Sequence, residues 1–185
     1  MNPVLLDLPE QWFTERLLLR PPRAGDGAEL CRAVRESRPE LKRWMSWAQK
    51  SSTVKQSEAF CREAGANFAA RKDLALLLWL KDEPVVVGGS GLHRIDWTIP
   101  KFEIGYWIRT RFTGQGYATE AVRAIARFAR QTLKARRIEI RVDTRNQRSW
   151  RLAERQGFVL EGTLRQDARN PDGRLRDTRI YAKVF

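Results

Sequence analysis

Between Phe102 and Lys134 the hydrophobic repeat changes from two residues to about 3.6, across a turn that holds Gly114 and Gly116. Residues 102–108 alternate as a strand does. From Thr119 to Lys134, the apolar residues Val122, Ile125, Ala126, Ala129 and Leu133 fall on one face of a helix. Arg123, Arg127, Arg130 and Lys134 fall on another, which reads as a solvated face or as part of a docking surface. A strand that enters such a helix through a glycine turn leaves free backbone N–H groups at the turn, beside the positive end of the helix dipole. Gly114 and Gly116 have no side chains to hold an anion off that backbone. The stretch therefore reads as a pyrophosphate cradle, or as an ordinary tight turn that needs two flexible residues.

The elements around it fix the fold class. Residues 17–19, stopped by Pro21-Pro22, predict a short first strand, and Asp26 a cap for a helix through Leu30, Ala33 and Val34. Thr53-Val54-Lys55-Gln56 fits a capping box that opens a second helix to about Lys72. Residues 74–80 and 85–92 predict two strands joined by the turn Lys81-Asp82-Glu83-Pro84. Ile138, Ile140 and Val142 alternate with charged residues as a strand. A short helix over 147–156 follows, with Gly157 at the place of a left-handed cap. Residues 158–164 and 175–184 predict a final hairpin through Asn170-Pro171-Asp172-Gly173. This order predicts an α/β (α+β) chain with a mixed, mostly antiparallel sheet of six to seven strands and about four helices. No linker or repeat divides it, so a single domain over 1–185 is expected.

Charge narrows the partners without choosing one. The 185 residues carry 35 basic and 22 acidic side chains, a net +13, and the excess is concentrated after Thr110. Such a field favours polyanions: nucleic acid, a ribosome, an acidic protein or a phosphate-rich cofactor. No apolar stretch approaches the roughly 20 residues of a membrane helix, and Met1-Asn2-Pro3-Val4-Leu5-Leu6-Asp7 lacks the form of a secretory signal. Cys31 and Cys61 stand alone without metal-ligand spacing. A reduced, cytoplasmic protein with no metal is the expectation.

Two nucleotide folds compete for the glycine turn. Gly114-x-Gly116-x-x-Thr119 lacks the third glycine of GxGxxG and lies too late in the chain for a dinucleotide fold. Arg111-Phe112-Thr113-Gly114-Gln115-Gly116 instead resembles the acyl-CoA pyrophosphate loop of the GNAT superfamily, the Gcn5-related N-acetyltransferases. Thr14-Glu15-Arg16-Leu17-Leu18-Leu19-Arg20-Pro21 and the segment Leu41-Lys42-Arg43-Trp44-Met45-Ser46-Trp47-Ala48 are similar to blocks of its RimJ/RimL branch, the ribosomal-protein N-terminal acetyltransferases. Residues 103–108, Asn146-x-x-Ser149, Gly157-Phe158-x-Leu160-Glu161-Gly162 and Tyr181-Ala182-Lys183-Val184-Phe185 resemble its later blocks in order. Each block alone is weak; their order is specific.

The resemblance implies acetyl-CoA as cosubstrate and assigns roles by position. Backbone at Ile108 and Arg109 would pair with the pantetheine arm, and backbone through Arg111, Gly114, Gln115, Gly116, Tyr117, Ala118 and Thr119 would bind the diphosphate. Asn146 would contact the CoA arm, and Ser149 would reprotonate the leaving thiolate. Without the resemblance, both read as helix-capping residues. An α-amine has a pKa of about 8, so a weak base or a water relay is enough to free its lone pair. Glu103 is the first candidate base, with His93 and Asp167 as alternatives. Some Rim-type enzymes carry a candidate catalytic glutamate where this chain has Ala168. Trp44, Met45 and Trp47 read either as core or as an apolar wall around the acceptor.

The acceptor stays open at this level. A protein N-terminus, in particular that of an acidic ribosomal protein, suits the charge and the branch. A small-molecule amine (antibiotic or polyamine) or an aminoacyl-tRNA suits the same fold. A ribosome- or RNA-binding module without catalysis is the reading from another class. The resemblance also implies pairing into homodimers.

Overall fold

The computed structural model describes residues 3–185, so Met1 and Asn2, the start of the segment read for a secretory signal, lie outside the described residues. Its strands are β1 (Trp12–Phe13), β2 (Leu17–Arg20), β3 (Leu74–Leu80), β4 (Val86–Asp96), β5 (Lys101–Ile108), β6 (Arg137–Asp143), β7 (Val159–Arg169) and β8 (Leu175–Val184). They form one sheet in the order β1-β2-β3-β4-β5-β6-β8-β7. Every neighbouring pair is antiparallel except β5 and β6. The strand that the sequence did not announce is β1. It is two residues long, too short for any alternation to show.

Four helices cover the sheet: α1 (Gly27–Leu41), α2 (Val54–Ala69), α3 (Tyr117–Gln131) and α4 (Gln147–Arg155). Leu30, Ala33 and Val34 of α1 and Cys61 of α2 pack with Leu77, Trp79 and Val86 on one face. Val122, Ile125 and Ala129 of α3 and Leu152 of α4 pack with Leu76, Leu78, Phe102, Ile104, Ile138 and Ile140 on the other. With both faces covered, β3 can be apolar almost throughout, Leu-Ala-Leu-Leu-Leu-Trp-Leu.

Local chemistry explains where the elements stop. The capping box on α2 is present, with Thr53 N donating to Gln56 Oε1 at 2.9 Å and Gln56 N to Thr53 Oγ1 at 3.2 Å. That helix ends at Ala69, short of Lys72, because Arg71 turns into the left-handed region at φ 59° and its guanidinium caps the carbonyl of Phe68 at 2.9 Å. Gly157 holds the left-handed position after α4. Asp26 precedes α1 but does not cap it through its side chain. Its carboxylate instead takes both guanidinium nitrogens of Arg20 at 2.7 Å and the backbone N–H of Arg23, a stronger charge-assisted set than one helix amide. The helix after the glycine turn runs from Tyr117 to Gln131, beginning two residues before the expected Thr119 and ending three before Lys134. Among the described residues, no helix is long and apolar enough to cross a membrane.

Candidate functional site

The parallel pairing of β5 with β6 runs only from Lys101 to Glu103, opposite Arg137 to Glu139. Beyond it, the two strands are not paired and the sheet is open between them. Register decides which backbone groups face that gap. Arg109 N donates to Val87 O at 2.7 Å, and Trp107, Gly105 and Glu103 stand at the same parity against Gly89, Gly91 and His93 of β4. The N–H and C=O groups of Tyr106 and Ile108 therefore point the other way, into the gap. An extended amide chain laid there would find a strand edge to pair with. Ile108 stands at this open edge. Arg109 does not offer its N–H, because β4 already takes it.

The Arg109 side chain has a different task. It is 1% exposed and forms ion pairs with Glu29 at 2.8 Å and Glu36 at 2.6 Å, both on α1. Next to it, Thr110 N donates to Ser37 Oγ at 2.9 Å. The start of the loop is thereby fastened to α1. The loop then turns through Gly114 at φ 80° and Gly116 at φ 86°, conformations that only glycine adopts without strain. The backbone N–H groups of Gly114, Gln115, Gly116, Tyr117, Ala118 and Thr119 have no acceptor among the described residues. Thr113 N is spent on Thr110 O, and Glu120 N on Gly116 O. A run of unpaired N–H groups at a helix N-terminus is an anion nest. Gln115 Nε2 donates to Arg111 O at 2.9 Å and stiffens the turn, while the Arg111 guanidinium is half-exposed over Phe112.

Two residues outside the loop hold its shape. Arg16 donates to Gln115 O at 3.0 Å, lies 4.3 Å from the Tyr117 ring centroid and pairs with Glu120 at 2.7 Å. Glu120, in the first turn of α3, also accepts from Thr14 Oγ1 at 2.6 Å and Arg16 N at 2.9 Å. Burial opposes its charge, but these hydrogen bonds and Arg16 hold its carboxyl below the usual range. A phosphate could share the helix end with this carboxylate because Arg16 offsets it. Arg16 lies inside a block that carried the family resemblance, but its contact with Glu120 spans 104 positions and no local pattern announces it.

Across the gap, Asn146 Oδ1 accepts from Ser149 N at 3.2 Å and caps α4. The capping reading of Asn146 is therefore realised, and its side-chain N–H groups make no protein hydrogen bond among the described residues. Ser149 is not the cap but receives it. Its Oγ lies 2.8 Å from the Tyr106 phenol, which reaches from β5 to α4 where the strand pairing has stopped. Burial pushes the Tyr106 phenol up to about 12, against the opposing effect of the Ser149 hydrogen bond.

Along β5 the side chains alternate, so Glu103 and Trp107 face away from Tyr106, on the α1/α2 side. His93 stands opposite Glu103 on β4, and Glu139 opposite it on β6. Burial pushes the Glu103 carboxyl up, while Arg94 (3.4 Å), Arg141 and His93 pull it down less strongly. Its Oε2 makes no hydrogen bond. His93 is engaged by Asp73 at 2.8 Å, and Asp167 by Arg141 at 2.9 Å. The three candidate bases thus share one region of one sheet face, and Glu103 has the longest ion pair of the three, 3.4 Å to the exposed Arg94. Trp47 is exposed and meets Trp107 edge to face at 6.1 Å, while Trp44 and Met45 are half-buried. Trp47 belongs to a wall over this face, not to the core. Cys31 and Cys61 are buried free thiols, and no group of three or more metal-ligating side chains occurs among the described residues.

Comparison with known proteins names this arrangement. Residues 16–159 match the acetyltransferase (GNAT) domain family. The chain is 29% identical over 179 residues to the uncharacterized N-acetyltransferase p20 of Bacillus licheniformis, covering 94% of this chain and 95% of that protein. It is 28% identical over 146 residues to the ribosomal-protein-serine acetyltransferase of Escherichia coli (strain K12), covering 78% and 81%. Among solved structures, the microcin self-immunity acetyltransferase MccE, in complex with acetyl-CoA and AMP, superposes with a TM-score of 0.85 at 25% identity, over 93% of this chain and 94% of that one. The acetyltransferase RimL in complex with coenzyme A superposes at 0.86 with 22% identity, over 93% and 96%, a likeness of fold. The chain belongs to the GNAT acetyltransferase family and is an acyltransferase whose acetyl donor is acetyl-CoA.

Proposed function

We propose that the chain acetylates the α-amine of a protein N-terminus, with a ribosomal protein as acceptor. The observation that carries this reading is the sheet face behind the gap. An aromatic wall of Trp47 and Trp107 leads to a desolvated carboxylate, Glu103, whose ion pair to the exposed Arg94 is long, at 3.4 Å. An apolar wall suits the first side chains of a peptide, and Glu103 suits its terminal ammonium. The Escherichia coli relative, named as a ribosomal-protein-serine acetyltransferase, supports the same acceptor. The net charge of +13 would draw an acidic partner. Cytoplasmic location, action as one domain and pairing into homodimers go with this reading.

Acetyl-CoA supplies an activated thioester carbonyl. The Gly114–Thr119 nest would hold its diphosphate, and the edge groups of Tyr106 and Ile108 would pair with its amide arm. Arg109 contributes the shape of the loop, while Asn146 retains free N–H donors for the arm. Glu103, directly or through water, takes a proton from the acceptor ammonium so that a neutral nitrogen attacks. Ser149 gives its hydroxyl proton to the departing thiolate, forming S–H, and is reprotonated, through water, by the second proton that the acylated nitrogen sheds.

The acceptor is tested by transfer of labelled acetyl from acetyl-CoA into a lysate lacking this enzyme, separated into protein, RNA and small-molecule fractions. Label on one or a few protein N-termini is the expected result. Label confined to the small-molecule or RNA fraction would overturn this acceptor. The small-molecule alternative has one supporting observation, the likeness to MccE at 25% identity.

Glu103→Gln should lower kcat by about a hundredfold at pH 7, within the range for a lost general base. The deficit should shrink above about pH 8, where an α-amine sheds its proton unaided. Because burial raises the Glu103 carboxyl, its charge costs stability as pH rises from its unfolded to its folded pKa, and at all higher pH. The glutamine variant should therefore melt no lower than wild type at pH 7. A pH-independent deficit would remove Glu103 from proton transfer.

A further inference from the structure

The Tyr106–Ser149 contact joins two elements that have no backbone pairing at that level. The β5–β6 ladder ends at Glu103, and Tyr106 lies three residues beyond it on β5. Its phenol oxygen is 2.8 Å from Ser149 Oγ and 3.3 Å from Ser149 O. The Ser149 N–H is already committed to Asn146. Backbone and hydroxyl oxygen of this serine are thus both held, one by its own helix and one by β5.

We propose that Tyr106 is a positioning residue for Ser149: its phenol donates to Ser149 Oγ and leaves the serine proton free to point into the gap. This rests on the reading of Ser149 as donor to the thiolate. Either oxygen of the pair can donate on geometry alone, and the direction decides the chemistry. If Ser149 donated to the phenol, its proton would be turned away from the gap. Without the phenol, the serine hydroxyl is free to bond back to the carbonyl of Asn146 or Arg145, three or four residues before it, which also withdraws its proton. The phenol has one hydrogen and two acceptors in reach, Ser149 Oγ at 2.8 Å and the Ser149 carbonyl at 3.3 Å; it goes to the shorter contact, because a phenol is a more acidic donor than an alcohol. The serine is then the acceptor, and its own hydrogen has the gap to face. Tyr106 gives up no proton in the reaction; it orients one.

The test is a cycle of Tyr106→Phe, Ser149→Ala and the double variant, with kcat, the KM for acetyl-CoA and the Kd for acetyl-CoA measured on each. Tyr106→Phe should reduce kcat about tenfold, the effect of one ordinary hydrogen bond, and leave the Kd within about twofold. In the Ser149→Ala background, the same change should have no further effect on kcat. A full second loss in the double variant, or wild-type kcat in Tyr106→Phe, would overturn the proposal. Wild-type kcat in Ser149→Ala would instead remove the underlying role of Ser149. A second readout does not depend on the folding of the phenylalanine variant. Difluorotyrosine at position 106 keeps the shape but brings phenol ionisation toward neutrality, and the phenolate cannot donate. Its kcat should fall as pH rises through that ionisation, on a limb absent from wild type. An unchanged pH profile would refute the donor role.

Discussion

Gly116→Trp is expected to abolish detectable acetyl-CoA binding by calorimetry. Gly116 sits at φ 86° as the residue before α3, where an L side chain costs about 1–2 kcal/mol in backbone strain. A Cβ there would come 3.4 Å from Arg16 Nη2, the cation that braces the loop. The indole would then lie among the free N–H groups of Gly114 to Thr119 or displace Arg16 from Glu120. Either result removes the anion nest. Gly116→Ala separates strain from bulk: it should weaken binding measurably and leave the nest in use. Unchanged affinity in the tryptophan variant would place the diphosphate elsewhere.

Arg109→Met should reduce stability in denaturant unfolding by about 3–5 kcal/mol, the cost of removing one partner from a buried ion pair. Its guanidinium bridges Glu29 and Glu36 and donates to Val86 O at 3.3 Å, with the side chain wholly enclosed. Methionine fills the volume but leaves the two carboxylates without that cation. Against a typical total of about 5–15 kcal/mol, this is a large share. Acetyl-CoA affinity measured well below the unfolding transition should change far less, because Arg109 gives the gap no side chain. Loss of affinity with intact stability would reverse the assignment.

The two variants bracket what local sequence can and cannot say. Gly114 and Gly116 stand where alternation gives way to a helical stripe, and a positive φ at both follows from the turn alone. The α2 capping box, the left-handed Gly157 and the amphipathic α3 were legible for the same reason: each depends on residues within a turn or two of one another. The Asp26 cap was misread because its true partner, Arg20, lies on a strand that folds back beside it. Trp47 was ambiguous because burial of an aromatic depends on what the sheet face beneath it supplies, and here Trp107 meets it only edge to face while Trp47 stays exposed.

By itself, then, the sequence determined the type and order of every strand and α-helix but the two-residue β1, the glycine turn with its free amides, and by resemblance the family and the donor. Tertiary structure decided what faces what. It ended the β5–β6 ladder at Glu103, turning Tyr106 and Ile108 toward an open edge. It gave Arg109 a buried ion-pair role, set Arg16 against Glu120, and brought the Tyr106 phenol to Ser149 from 43 positions away. It also left Glu103 desolvated, with only a 3.4 Å pairing to exposed Arg94, while partnering His93 and Asp167 more closely. The physical reason is range. Backbone conformation answers to neighbours along the chain, whereas burial, pairing and the proton affinities they set answer to neighbours in space.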